Sequence, residues 1–278
     1  MTGAPEPWDA GDGLAGYVWR AAEPRGRLLL QHGFGEYAER YVERYSRLVP
    51  RLTGVGFDVY AFDAPGHGRS PGRRGVVDVH ELVARHLATR RELVRGSGPL
   101  VLFGHSLGGL VTAASVAREP DGVAGVVLSG PALLIEANAP TRWLARAVAA
   151  VAPAVGIRPP LDPAGVSRLD EEVRLYAADP MVYRGKLPAL VGVTAVAVAR
   201  EGWGRYPEWC APTLVVHGAA DTFTDPEGSR RFVGMIRSDD KRSLLVPDGR
   251  HELLNDLDRD HVAEMVLTWL RDRLPADR

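Results

Sequence analysis

The chain is nearly devoid of cysteine. Its 278 residues contain one, Cys210, so an intramolecular disulfide framework is excluded. A lone thiol without cysteine or histidine neighbours cannot build a zinc cage either, and Cys210 is expected as a small buried hydrophobe. An excess of charge of either sign is also missing, with 34 Lys plus Arg against 35 Asp plus Glu and a formal net charge of −1. Such a balance gives no general attraction to nucleic acid or to an anionic membrane, and no nucleic-acid partner is expected. No window reaches the roughly 18 uninterrupted apolar residues of a membrane-spanning helix. The opening stretch, Met1 to Asp9, has neither a basic start nor an apolar run, so no secretory signal is expected and the expected location is the cytoplasm. Internal repeats are absent. So is a phosphate loop, because the glycine-rich stretch Asp63-Ala64-Pro65-Gly66-His67-Gly68-Arg69-Ser70 lacks the G-K-[ST] ending and reads as a turn after a strand.

What is present is an alternation. Short apolar runs at 27–31, 57–62, 100–104, 125–129, 213–217 and 243–246 are separated by helix-like segments at 38–52, 77–95, 107–119, 226–237 and 261–274. This pattern predicts a mostly parallel sheet with helices on both faces, with 13–19 as an added antiparallel strand. A chain of this size buries roughly three quarters of its unfolded surface, enough for a substantial core. Between 131 and 209 the alternation stops, which predicts an inserted helical cap (131–209) within a core formed by 1–130 and 210–278. The insertion carries an apolar stretch through Trp143, Leu144, Ala147, Val148 and Val151 and a nearly uncharged run at 187–199. Two readings stand for these: helix faces packed on the main domain, or a cap that covers a site and offers a hydrophobic mouth to an acyl chain.

The apolar run ending at Gly104 leads into Gly104-His105-Ser106-Leu107-Gly108 and then a helical stretch. A G-x-S-x-G pentapeptide between strand and helix is the layout of a nucleophile elbow, which makes Ser106 the candidate nucleophile. The same pattern recurs at Gly68-Arg69-Ser70-Pro71-Gly72. An acyl-transfer nucleophile of this type uses the N–H of the following residue as an oxyanion donor, and Pro71 has none, so Ser70 reads as part of a turn. A serine hydroxyl also needs a histidine base, and the base an orienting acid, in the chain order Ser, acid, His. Asp221, on the loop after the 213–217 strand, fits the acid. Asp225 reads instead as a helix N-cap before Pro226, and Asp248 as part of a Pro-Asp-Gly turn. Of the histidines beyond Asp221, His261 opens an amphipathic helix, whereas His251 follows the last strand and a turn and fits the base. The glycine-flanked loop Gln31-His32-Gly33-Phe34-Gly35 supplies the second oxyanion amide, from Phe34, beside that of Leu107. His32, His105 and His217, all at strand ends, are expected to bond local backbone.

Taken together, these blocks resemble the α/β-hydrolase superfamily, and within it the monoacylglycerol lipase and lysophospholipase-like serine hydrolases. The resemblance rests on His32-Gly33-Phe34-Gly35-Glu36 with Arg40-Tyr41, on the Asp63 to Ser70 turn, on Gly104 to Gly109, on His217-Gly218-Ala219-Ala220-Asp221 and on Gly249-Arg250-His251-Glu252. It implies an α/β-hydrolase fold and cleavage of an ester of a single-chain lipid, such as a monoacylglycerol. In that chemistry Ser106 attacks the carbonyl, His251 moves the proton, Asp221 steadies His251, the Phe34 and Leu107 amides hold the oxyanion, and water releases the acyl group. No metal and no cofactor is implied. The expected partner is a small acyl ester, with transient contact of the cap with a membrane or lipid surface as a further expectation and the oligomeric state left open. The resemblance also places Glu36, Arg40 and Tyr176 at the polar end of the substrate pocket, although Glu36 and Arg40 equally suit a helix-face ion pair worth a few tenths of a kcal/mol. Many relatives carry histidine where this chain has Tyr37. An esterase, thioesterase or peptidase acting on another acyl compound is the alternative, and a non-catalytic binding protein a third reading.

Overall fold

The computed structural model describes residues 4–275; the outermost residues of the expected core, 1–3 and 276–278, lie outside the described residues. In chain order the elements are β1 (Glu6–Asp9), β2 (Ala15–Trp19), β3 (Gly26–Gln31), α1 (Arg40–Glu43), α2 (Leu48–Gly54), β4 (Phe57–Phe62), α3 (Val79–Val94), β5 (Leu100–His105), α4 (Leu107–Arg118), β6 (Gly125–Ser129), α5 (Ala139–Val151), β7 (Gly156–Arg158), α6 (Asp170–Ala178), β8 (Leu187–Pro188), α7 (Ala189–Arg205), β9 (Thr213–Gly218), α8 (Pro226–Met235), β10 (Lys241–Val246) and α9 (Arg259–Arg271). The sheet runs β1-β2-β4-β3-β5-β6-β9-β10, antiparallel at β1/β2 and β2/β4 and parallel from β4 onward.

Strands β3, β5, β6 and β9 are buried from end to end, as parallel strands covered on both faces must be, and their middle residues are accordingly apolar, with polar residues only toward the ends. Because side chains alternate across a strand, Leu29, Leu102, Val126 and Leu128 enter a core with α3, α4 and α7. Leu28, Leu30, Val101, Phe103 and Val127 enter the opposite core with α2 and α9, whose Trp269 is fully buried. All parallel strands end on one rim, and the loops after β3, β5, β6, β9 and β10 converge there, where open α/β sheets place their ligand crevice.

The expected helix at 38–52 is broken. Tyr45, Ser46 and Arg47 all have φ near +53°, a run of left-handed backbone that no α-helix contains, so α1 and α2 are separate short helices. Cys210 is an exposed free thiol, not a buried hydrophobe. It lies between buried Trp209 and Ala211 on the extended approach to β9, and the alternation turns it outward. The Asp225 carboxylate caps α8 by accepting from Glu227 N at 2.9 Å. Asp248 takes a left-handed turn conformation at φ +56°, and His261 is exposed on α9.

Residues 131–209 divide the two readings of their apolar stretches. Helix α7 packs inward through Val191, Ala195, Val198 and Ala199, but α5 buries no residue at all, and Trp143 and Val151 are 74% and 85% exposed. Residues 165–168 are clasped to the loop after β10: His251 N donates to Gly165 O at 3.2 Å, Glu252 N to Val166 O at 2.8 Å, and Arg168 Nε to Asp256 at 2.9 Å. Among the described residues no helix is long and apolar enough to cross a membrane.

Candidate active site

Ser106 stands between β5 and α4 with φ +54° and ψ −119°, a conformation a non-glycine residue holds only at a cost of roughly 1–3 kcal/mol. The surroundings enforce it: Ser106 N donates to Ser129 O at 3.0 Å, and its carbonyl accepts from Leu110 N at 3.2 Å and Ala132 N at 3.1 Å. A Cβ on Gly108 would collide with the carbonyl oxygens of Gln31 and His32, so the tight turn requires glycine there. Ser70, the other pentapeptide serine, is part of a turn. Its hydroxyl donates to Asp63 O at 2.6 Å and accepts from Ala15 N at 2.9 Å.

His251 and Asp221 meet across the rim, with His251 Nδ1 2.7 Å from Asp221 Oδ2. Burial opposes charge on His251, but the Asp221 carboxylate outweighs it and raises the pKa above the ordinary imidazole value. Burial likewise favours neutral Asp221, yet His251 and His217 hold its carboxyl far below the usual range. The acid therefore stays ionised and acceptor-only. Its Oδ1 takes Phe223 N at 2.7 Å and Thr224 N at 3.1 Å, and its Oδ2 the Thr224 hydroxyl at 2.8 Å. With Nδ1 committed to Asp221, Nε2 is the ring atom left for a proton from the serine. No hydrogen bond joins Ser106 to His251 among the described residues; both lie on the same rim, and such bonds commonly tighten only with substrate in place.

The loop after β3 is braced on both sides. His32 Nδ1–H donates to Gly33 O at 2.7 Å while its Nε2 accepts from Ala64 N at 2.9 Å, and Gly33 N donates to Glu36 Oε1 at 2.6 Å. Neither Phe34 N nor Leu107 N has a hydrogen-bond partner among the described residues, so both amides remain able to receive a developing oxyanion. His105 Nδ1–H donates to Ser129 O at 3.0 Å. Burial, then the neighbouring His251, push its pKa down to about 4. His217 departs from expectation: besides a 3.3 Å approach to Thr224 O, its shorter bonds run to the side chains of Ser229 and Asp221.

Glu36, Arg40 and Tyr176 do not line the cavity; they lie behind it. Arg40 bridges Glu36 at 2.9 Å and Glu252 at 3.0 Å, stacks on the rings of Tyr45 and Tyr176, and is 5% exposed. Glu36 also accepts from the hydroxyls of Tyr41 at 2.8 Å and Tyr45 at 2.7 Å. This buried network joins the loop carrying Phe34 to the residue after His251. Glu252 and Thr224 were not singled out from sequence; a carboxylate directly following the candidate base was the one available signal. Tyr37 donates to Asp179, just after α6, at 3.0 Å.

In front of Ser106 opens a cavity of about 1220 Å³, walled by Phe34, Leu107, Leu144, Val191 and Phe223 among others. A nucleophile elbow, a buried imidazole–carboxylate pair and two free amides on one rim can carry out acyl transfer. The sequence agrees over residues 22–258 with the family described as serine aminopeptidase, S33. The chain belongs to this family of α/β-hydrolases. This α/β-hydrolase is 36% identical to a monoacylglycerol lipase of Mycolicibacterium smegmatis, over 92% of each chain. It is 30% identical to the monoglyceride lipase of Homo sapiens, over 90% of this chain and 84% of that one. Its fold superposes on the crystal structure of Paleococcus ferrophilus monoacylglycerol lipase with a TM-score of 0.84 at 32% identity, covering 94% and 99% of the two chains. A soluble variant of monoglyceride lipase from Saccharomyces cerevisiae, in complex with a substrate analogue, gives 0.83 at 25% identity, covering 99% and 98%. This α/β-hydrolase is a carboxylic ester hydrolase of the serine type.

Proposed function

We propose that the substrate is a monoacylglycerol or a similar single-chain lipid ester, cleaved through an acyl-enzyme by a Ser106-His251-Asp221 triad. The observation that carries this reading is the strained Ser106 elbow at the floor of a large cavity with apolar walls. Ser106 Oγ attacks the ester carbonyl as His251 Nε2 takes its proton, and the oxyanion sits on the amides of Phe34 and Leu107. His251 then returns the proton to the leaving alcohol, and water, deprotonated by the same ring, hydrolyses the acyl-enzyme. Asp221 holds the tautomer and stabilises the imidazolium. Glu36, Arg40 and Tyr176 act at one remove, fixing the oxyanion loop against the base loop. On this reading 131–209 is the cap over a core of 1–130 and 210–278, and exposed Trp143, Leu144, Val151 and Leu161 support transient contact with a lipid surface, with the protein otherwise cytoplasmic.

The family description names a peptidase, but the relatives at 30% and 36% identity are lipases, and an apolar cavity suits an acyl chain better than a peptide. A fluorophosphonate probe should label the protein, lose the label in Ser106→Ala and keep it in Ser70→Ala. Profiling p-nitrophenyl esters by chain length beside monoacylglycerols should give glyceride turnover; an optimum at acetyl without it rejects the lipid assignment.

A further inference from the structure

The candidate acid carries a second imidazole. His217, at the end of β9, places Nε2 3.1 Å from Asp221 Oδ2, the same oxygen that His251 Nδ1 approaches to 2.7 Å. An ionised carboxylate only accepts, so the proton of a neutral His217 sits on Nε2, and Nδ1 is left bare. The partner of Nδ1 is the Ser229 hydroxyl on α8, at 2.6 Å and buried, which must then donate. The result is a directed chain, Ser229 to His217 to Asp221, ending on the oxygen that serves His251.

The Oδ1 side of the carboxylate is held by backbone of its own loop; Oδ2 takes the Thr224 hydroxyl of that loop and is shared between rings from two different parts of the rim, β9 and the loop after β10. We propose that His217 is a positioning residue for the hydrolysis: its Nε2–H keeps Oδ2 on the His251 ring while that ring gains and loses its proton, and Ser229 fixes the His217 tautomer that makes this bond. His217 is 1% exposed and absent from the cavity wall, so it reaches the substrate only through Asp221. The proposal rests on the triad reading above.

The test is steady-state hydrolysis of a p-nitrophenyl ester across pH. The readouts are kcat, KM and the acid limb of kcat/KM, which reports His251 as faced by Asp221, Glu252, Glu36 and His105. His217→Leu should lower kcat about ten- to a hundred-fold, the worth of a hydrogen bond to a charged group, with KM unchanged. It should also move the acid limb down toward the ordinary imidazole value, because a loosened Asp221 stabilises the imidazolium less. His217→Gln, whose amide N–H reaches the same oxygen, should recover most of both, and Ser229→Ala should show a smaller change in the same direction. Folded His217→Leu with unaltered kcat and limb, or His217→Gln no better than leucine, overturns the proposal. Should His217→Leu not fold, an unshifted limb in Ser229→Ala overturns it. Ser106→Ala and His251→Ala run alongside separate the two readings. Activity surviving in either defeats the triad, whereas activity lost in both with wild-type behaviour at 217 defeats only the present proposal.

Discussion

Two serines share a pentapeptide pattern in this chain, and one missing N–H tells them apart. Pro71 cannot donate, and Ser70 spends its hydroxyl on Asp63 O, whereas Ser106 sits at φ +54° above a cavity. The turn role of Ser70 was legible from residue chemistry alone, and the meeting of Asp221 with His251 from their places after β9 and β10. The bond between His217 and Asp221 was not, because which way a buried imidazole turns depends on Ser229, a partner contributed by another element. The Glu36–Arg40–Glu252 network was legible only by half: the i,i+4 pair shows in sequence, and its partner 212 residues away does not. Arg40 separates two buried carboxylates, so Arg40→Met should destabilise the fold by about 3–5 kcal/mol, the usual cost of breaking a buried ion pair. A denaturant midpoint within error of the wild type would refute this.

Among the elements, the inner sheet strands were readable because parallel strands buried on both faces leave apolar runs, whereas the short, largely exposed edge strand β1 leaves none. The break after Glu43 was not, since Tyr45, Ser46 and Arg47 carry no glycine or proline to announce left-handed backbone. Helix α5 was left open in a different way: a helix with no buried residue has the same apolar periodicity as one packed in a core. Its place on the cavity wall and its exposure separate two kinds of effect. Trp143→Ser with Val151→Ser should leave thermal stability within about 0.5 kcal/mol of wild type, as exposed positions do. The same pair should weaken cosedimentation with phosphatidylcholine vesicles and lower turnover of emulsified long-chain esters more than of soluble short ones. Equal losses on both substrates would contradict the proposed lipid-facing role of α5.

At the scale of the whole molecule, acid should be unusually harmful. His86 is held well below, His67 down to about 3 and His105 down to about 4, burial being the largest cause in each. A base whose pKa is depressed by folding binds more protons unfolded, so stability is lost as pH falls below the unfolded value of roughly 6.5. Each such histidine removes about 2 kcal/mol by pH 5. His251 works the other way, its raised pKa adding stability below roughly 6.5 that is lost as pH rises through the folded value, but it is one against three. Melting temperatures should therefore drop between pH 7 and pH 5; a flat profile across that window would show these rings are not neutral in the fold.

The Arg40–Glu252 bridge joins residues 212 positions apart. As the chain leaves the ribosome, the Ser106 turn emerges long before residues 251 and 252, and until they arrive Arg40 cannot tie its own loop to the one after β10. On the proposed triad the nascent protein is thus chemically silent until residue 251 has emerged, and premature termination ahead of it would leave a nucleophile with nothing to take its proton.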